Sequence, residues 1–111
     1  MPVLKFDTAG LQQIKPGVKR SLIYTPTLMT AVIRFTNGPW AEPEPPHAHV
    51  HEQTTYIVAG ELIFFCEDEP EQHLKAGDMF AVPSNKKHTI QLLSTHCTLV
   101  DSFTPRREEF L

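Results

Sequence analysis

The sequence predicts a small all-β protein, an antiparallel barrel carrying a metal site on its inner wall. Three observations carry that prediction. Ten prolines break a chain of 111 residues into short apolar stretches. No apolar pattern of helical period runs longer than about two turns. Three histidines, His47, His49 and His51, stand at alternate positions, Gln53 continues the alternation, and His88 follows 35 residues later. A chain of this length fits one domain spanning residues 1–111. Closure into a barrel suits so small a core, because it removes sheet edges.

The elements follow in order. Residues 3–6 are apolar and read as a strand able to add to a partner's sheet. Residues 11–14 fit a short helical turn. Strands are expected over 18–25 and 28–36, on either side of Thr25-Pro26-Thr27. Residues 37–46 hold Asn37-Gly38-Pro39 and Pro45-Pro46 and read as a loop, since proline donates no ladder hydrogen bond. Strands over 51–59 and 61–67 are expected to form a hairpin around Gly60, followed by an acidic turn over 67–71 that contains Pro70. Short strands complete the set at Gln72–Lys75, Met79–Val82, 88–93 and 97–103. The tail, residues 104–111, reads as a loop that packs back on the barrel.

Bulk properties exclude several classes. The net charge is −3 and no basic block is present, so a nucleic-acid partner is not expected. A local arginine still permits an anionic substrate. No run of 18 apolar residues is present to span a membrane as a helix. The first ten residues lack the charged-then-apolar order of a signal peptide. Cys66 and Cys97 lie far apart among apolar neighbours, so free thiols in a reducing compartment are expected rather than a disulfide. A cytoplasmic location follows as the expectation.

Residues two apart in a strand share a face, so His47, His49, His51 and Gln53 can converge on one point inside a barrel. His88 opens a later strand that a barrel can bring alongside. Neutral imidazoles and an amide oxygen suit a divalent transition metal, and such a set leaves positions open for water or substrate. The competing interpretation is a solvent-exposed polar loop that binds metal adventitiously. His73 and His96 fall near turns and read as surface residues.

Pro46-His47-Ala48-His49-Val50-His51-Glu52-Gln53, with Gly60 after six further residues, resembles the first motif of the cupins, H-x-H-x(3,4)-[EQ]-x(6)-G. The stretch from Gly77 through Pro83 to His88 resembles the second, G-x(5)-P-x-G-x(2)-H-x(3)-N. Asn85 stands where that motif has its second glycine, and Leu92 where it has asparagine. Asn85 is a mild departure, because asparagine tolerates the left-handed region. The resemblance implies a single antiparallel jelly-roll β-barrel, usually a homodimer. It also implies one divalent metal ion (nickel, zinc, manganese, cobalt or iron) held by His47, His49, Gln53 and His88. His51 falls outside that set, with the rim of the pocket as its expected place. A neutral amide in place of a glutamate ligand leaves more positive charge on the metal.

The last strand places Cys97, Leu99, Asp101 and Phe103 on one face, which is expected to point inward. An aspartate there is costly unless paired, and beside a metal it is a candidate general acid or base. Arg106 or Arg107 can pair with it or with a substrate carboxylate; a plain salt bridge pinning the tail is the structural alternative. The ending Asp101-Ser102-Phe103-Thr104-Pro105-Arg106-Arg107-Glu108-Glu109-Phe110-Leu111 resembles that of small cupins which linearise 4,5-unsaturated uronates in pectin and alginate breakdown. That resemblance implies a carboxylate-bearing sugar as substrate, Asp101 as the proton-moving group, Arg107 as the carboxylate holder and Phe103 as the residue packing on the sugar. Two other classes fit the same scaffold, a metal-dependent dioxygenase or small-acid lyase and a non-catalytic small-molecule-binding protein. Trp40 lies before the first motif, placed either to cap the pocket or to pack in a core or interface.

Overall fold

The computed structural model describes residues 3–6 and 10–111. Nine strands follow one another among these residues: β1 (Gln12–Lys15), β2 (Val18–Tyr24), β3 (Met29–Phe35), β4 (Glu52–Ala59), β5 (Glu61–Cys66), β6 (Gln72–Lys75), β7 (Met79–Val82), β8 (His88–Leu92) and β9 (Cys97–Thr104). A 3-10 turn spans Glu108–Phe110. The strands form two antiparallel sheets, ordered β1-β2-β3-β9-β4-β7 and β6-β5-β8, in a jelly-roll arrangement. No helix among the described residues is long and apolar enough to cross a membrane.

Two expectations are corrected. Residues 11–14 form no helical turn: Gln12–Lys15 is a strand that pairs with β2 across the Pro16-Gly17 connection. All four of its residues are exposed, so a helix there would have no apolar face to bury, while pairing at the sheet edge satisfies the backbone. Nor do β4 and β5 form a hairpin. Both edges of β4 are already taken, by β9 and β7, while β5 lies between β6 and β8 in the other sheet. Gly60 is therefore a corner between sheets. The apolar residues 3–6 are exposed and belong to no strand of the chain.

Alternation sets the core. Along β9, Cys97, Leu99, Asp101 and Phe103 are buried while their neighbours are not. These residues face Val18, Phe35, Ile57, Leu62, Val82 and Leu92 in one cluster, and Met29 and Ala31 in another. Full burial of a side chain such as Ile57 or Leu62 stabilises the fold by about 1.5–3 kcal/mol. Leu92, at the position where the motif has asparagine, is fully buried here, an apolar core contribution. Trp40 packs against the first cluster, edge-on to Phe35 at 5.5 Å, with its Nε1 donating to Asn37 Oδ1 at 3.1 Å. It is a core residue and not a pocket cap. Tyr56 faces outward, and Cys66 and Cys97 are free thiols.

The proline-rich segment is ordered by β8. The amides of Trp40, Glu44 and His47 donate to the carbonyls of Leu92, Ile90 and His88 at 3.0, 3.3 and 3.0 Å. The segment thus covers the edge of β8 left open by β5, without the regular ladder that proline forbids. It ends in a reciprocal pair, His47 with His88, and so delivers two histidines to one place.

Gly60 and Gly77 have nearly the same backbone conformation, φ +95° and +97°. A Cβ on Gly60 would lie 2.4 Å from the His96 carbonyl oxygen, whereas one on Gly77 would meet nothing within 4 Å. Alanine at Gly77 should cost about 1–3 kcal/mol from conformation alone. Alanine at Gly60 should cost more, by the clash, in urea unfolding. Equal costs would contradict the close crossing of the sheets. Burial also pushes the Cys97 thiol up to about 11 from its ordinary 9.0. The folded chain then holds this proton more tightly than the unfolded one, so the stabilisation is complete below pH 9 and is lost as pH rises through about 11. Relative to Cys97→Ala, the wild type should lose stability across that window. A flat difference would mean that the thiol is not desolvated.

Candidate metal centre and pocket

Three histidines from two pieces of chain converge on one place. His47 comes from the proline-rich segment and His88 from the start of β8, held together by backbone bonds of 3.0 and 2.9 Å. His49 lies two residues on, where its carbonyl accepts the amide of Asn85 at 2.8 Å. Asn85 has φ +65°, so the residue replacing the motif's glycine does take the left-handed conformation that the turn requires. Ser84 Oγ also donates to the Val50 carbonyl at 2.6 Å, clamping the turn onto the histidine segment. The three imidazoles offer ligand atoms all within 4.8 Å of one another.

Backbone carbonyls set two of the ring tautomers. His49 Nδ1 lies 2.8 Å from the His51 carbonyl oxygen, and His88 Nδ1 lies 2.9 Å from that of Lys86. A carbonyl only accepts, so both Nδ1 atoms carry hydrogen and both Nε2 atoms present lone pairs. Burial lowers the pKa of His47 and of His88 below the ordinary imidazole value, and the charge of Arg107 adds to it in each case. Both rings are thereby kept in the neutral form that binds metal.

Gln53 opens β4. The register of β4 on β9 sets Gln53 beside Phe103 and Thr55 beside Asp101. Gln53 Nε2 donates to Thr55 Oγ1 at 2.9 Å and reaches Asp101 Oδ1 at 3.5 Å. Thr55 Oγ1 donates to the same carboxylate oxygen at 2.5 Å. These contacts orient the amide so that Gln53 Oε1 faces His49 Nε2 at 3.2 Å. With the His49 ring neutral both of these atoms are acceptors, and either a proton on Nε2 or a cation between them removes the repulsion at that distance. Two ligands at right angles, each about 2.1–2.2 Å from a metal, stand about 3 Å apart. The donor set therefore fits a divalent metal ion.

Asp101 is buried, and burial raises its carboxyl to about 6, opposed by the Thr55 hydrogen bond, the charge of Arg107 and the Gln53 amide. It lines a cavity of about 190 Å³ together with His47, Gln53, His88, Phe103 and Arg107. Of His47, His49, Gln53, His88, Asp101, Phe103 and Arg107, all but His49 border this space, and His49 adjoins it through His88 and Gln53, whereas His51, Arg106 and Trp40 do not border it.

One expected pairing is absent. Neither tail arginine bonds to Asp101: Arg106 pairs with Glu108 at 2.7 Å and Arg107 with Glu109 at 3.0 Å. The 3-10 turn draws each arginine toward the acid two residues on. Arg107 remains close enough to act on Asp101 through its charge. His51 lies outside the metal cluster, with its Nε2 4.0 Å from Glu109 Oε1 and its Nδ1 buried without a partner. The tail packs back as expected, with Phe110 edge-on to Phe103 at 5.8 Å. Two contributors were not singled out from the sequence. Thr55 links Gln53 to Asp101, and Phe110 borders the cavity. Thr55 shares its strand parity with Gln53, which was the available signal; nothing in the sequence places Phe110 at the pocket.

Known proteins agree with this geometry. The family described as "Cupin domain" matches residues 34–103. The pectin degradation protein KdgF of Dickeya dadantii (strain 3937) is 31% identical over 107 residues, covering 95% of this chain and 94% of that protein. The structure of KdgF from Halomonas sp. superposes with a TM-score of 0.82 at 32% identity, over 95% of each chain. An RmlC-like cupin from Shewanella frigidimarina NCIMB 400 superposes with a TM-score of 0.81 at 34% identity, over 95% of this chain and 91% of that one. With both sequence motifs, the two-sheet barrel and the histidine cluster in agreement, the chain belongs to the cupin family.

Proposed function

We propose that this protein is a metal-dependent enzyme that opens the ring of 4,5-unsaturated uronate monosaccharides to give the linear 4-deoxy-5-keto-uronate. The observation that carries this reading is the continuous polar line from His49 through Gln53 and Thr55 to Asp101, which ends on a buried carboxyl in a cavity that also holds a guanidinium. The likeness to a pectin degradation protein over 95% of the chain supports the substrate class. The cavity volume, about 190 Å³, lies below the usual range for drug-sized ligands and suits a single sugar unit.

In this reading His47, His49, Gln53 and His88 hold one divalent transition metal: nickel, zinc, manganese, cobalt or iron. When bound, the metal supplies positive charge that anchors the substrate carboxylate and polarises a ring oxygen. Arg107 contributes a second cationic contact for the carboxylate, and Phe103 gives the sugar ring an apolar surface. The reaction adds no atom. The anomeric hydroxyl loses its proton, the bond from the anomeric carbon to the ring oxygen breaks, carbon 5 becomes a ketone and carbon 4 gains a proton. Asp101 moves both protons, accepting as carboxylate and donating as acid. A carboxyl near 6 divides its population between the two forms close to neutral pH. The Thr55 hydroxyl and the Gln53 amide keep it aimed at the cavity.

A homodimer in the cytoplasm completes the proposal. The outer face of the larger sheet presents exposed Tyr56, Val58 and Met79 for a partner copy, and both cysteines are free thiols.

With the unsaturated monouronate from pectin digestion, the protein should remove the ultraviolet absorbance of the conjugated double bond faster than buffer does. Chelation should abolish the excess rate and added divalent metal should restore it. Asp101→Asn should slow turnover by about 10²-fold or more while elemental analysis finds the metal retained. A wild-type rate equal to the spontaneous one would overturn the uronate reading. Full activity in the Asn variant would overturn the role of Asp101.

A further inference from the structure

Arg107 is the cation of the pocket, and its placement is controlled by its own turn. Its guanidinium lies 4.3 Å from the ring centroid of Phe110 and 5.2 Å from that of Phe103. Two aromatic faces thus confine it, and its side chain is only 16% exposed. Contacts of this kind fix the position of the group and do not by themselves set the direction of its N–H groups. Glu109 removes the remaining freedom. Its Oε2 accepts from Arg107 Nε at 3.2 Å and from Nη2 at 3.0 Å. Of the five guanidinium N–H groups, two are used in this way, and the rest stay available for an anion.

Glu109 also approaches the histidine segment on its other side. Its Oε1 lies 4.0 Å from His51 Nε2, and the His51 carbonyl is the acceptor that sets the His49 tautomer. The turn carrying Glu109 is fastened from outside as well: Arg20 stacks on Phe110 at 4.1 Å and donates to its carbonyl at 3.4 Å. One carboxylate therefore stands between the histidine segment and the pocket's cation.

We infer that Glu109 is a positioning residue, which turns the free N–H edge of Arg107 toward the cavity and thereby sets affinity for the substrate carboxylate. The inference rests on the uronate reading above. Because Glu109 is half exposed, the pair adds little to stability, and its effect belongs in substrate binding. Because it acts through Arg107, its removal should change nothing once Arg107 is gone.

A double-mutant cycle on the metal-loaded protein tests this. Glu109→Ala should raise KM for the unsaturated monouronate about tenfold and leave kcat within about twofold. Arg107→Ala should raise KM at least as far. In the Arg107→Ala background, Glu109→Ala should have no further effect. Glu109→Gln, which keeps an acceptor oxygen for the guanidinium and guards against a folding defect in the alanine variant, should recover most of the loss. An unchanged KM in Glu109→Ala, additive effects in the cycle, or a Gln variant as poor as the Ala variant would each overturn the inference while leaving the uronate reading intact. A wild type without turnover would overturn both.

Discussion

The structure depends most on the contact between β4 and β9, where Thr55 donates to a carboxylate that is almost fully out of water. A buried carboxylate without a cationic partner is expensive. Here its pKa is raised to about 6, and two neutral donors supply part of what solvent would have given. An apolar residue at position 101 would fill the same space beside Ala31 at lower cost. An aspartate there adds nothing to packing, which fits the chemical role proposed for it above. The same contact orients Gln53, and Gln53 in turn presents an acceptor to an acceptor on His49. A proton on His49 or a bound cation resolves that repulsion, so the buried carboxyl and the candidate metal ligands are organised by one strand register.

That register is protected by the way the chain changes sheets. β4 is paired on both sides, which forces the chain at Gly60 to leave the larger sheet and begin the smaller one. The crossing passes so close to His96 that no side chain fits. The smaller sheet then brings β8 under the proline-rich segment. Prolines prevent that segment from forming a regular strand, yet three of its amides still find carbonyls on β8. The result is an irregular edge with a defined end point, the His47–His88 pair. A regular strand would add hydrogen bonds but would lose the freedom to steer His47 and His49 toward His88.

The tail closes the opposite side of the pocket with short-range chemistry. Two arginines are followed by two glutamates, and the 3-10 turn puts each arginine in contact with the acid two residues beyond it. Phe110 anchors the turn between Arg20 and Arg107 and lies edge-on to Phe103. The cavity therefore has a cationic lip made by a segment with few backbone contacts to the barrel.

Much of this was written in the sequence. Alternation of Cys97, Leu99, Asp101 and Phe103 is a local property, and the period of a strand converts it directly into a shared face, whereas His47 and His49 lie on an irregular segment before β4 and are brought to His88 by its backbone bonds to β8 and to Asn85. Strand positions from residue 18 onward follow from prolines and apolar runs for the same reason. Asn85 could be placed in a left-handed turn because its conformational preference is intrinsic. What the sequence alone could not decide is which strands become neighbours. Local alternation says nothing about pairing, so Gly60 read as a hairpin turn and is a corner between sheets, and residues 11–14 lacked any partner to reveal them as a strand. Thr55 gained its role only when the register placed it opposite Asp101. The partner of Arg107 was settled by the geometry of one 3-10 turn, which favoured the nearby Glu109 over the more distant Asp101. Faces are set by neighbours in the chain, whereas a site is set by neighbours in space, and only the folded barrel specifies those.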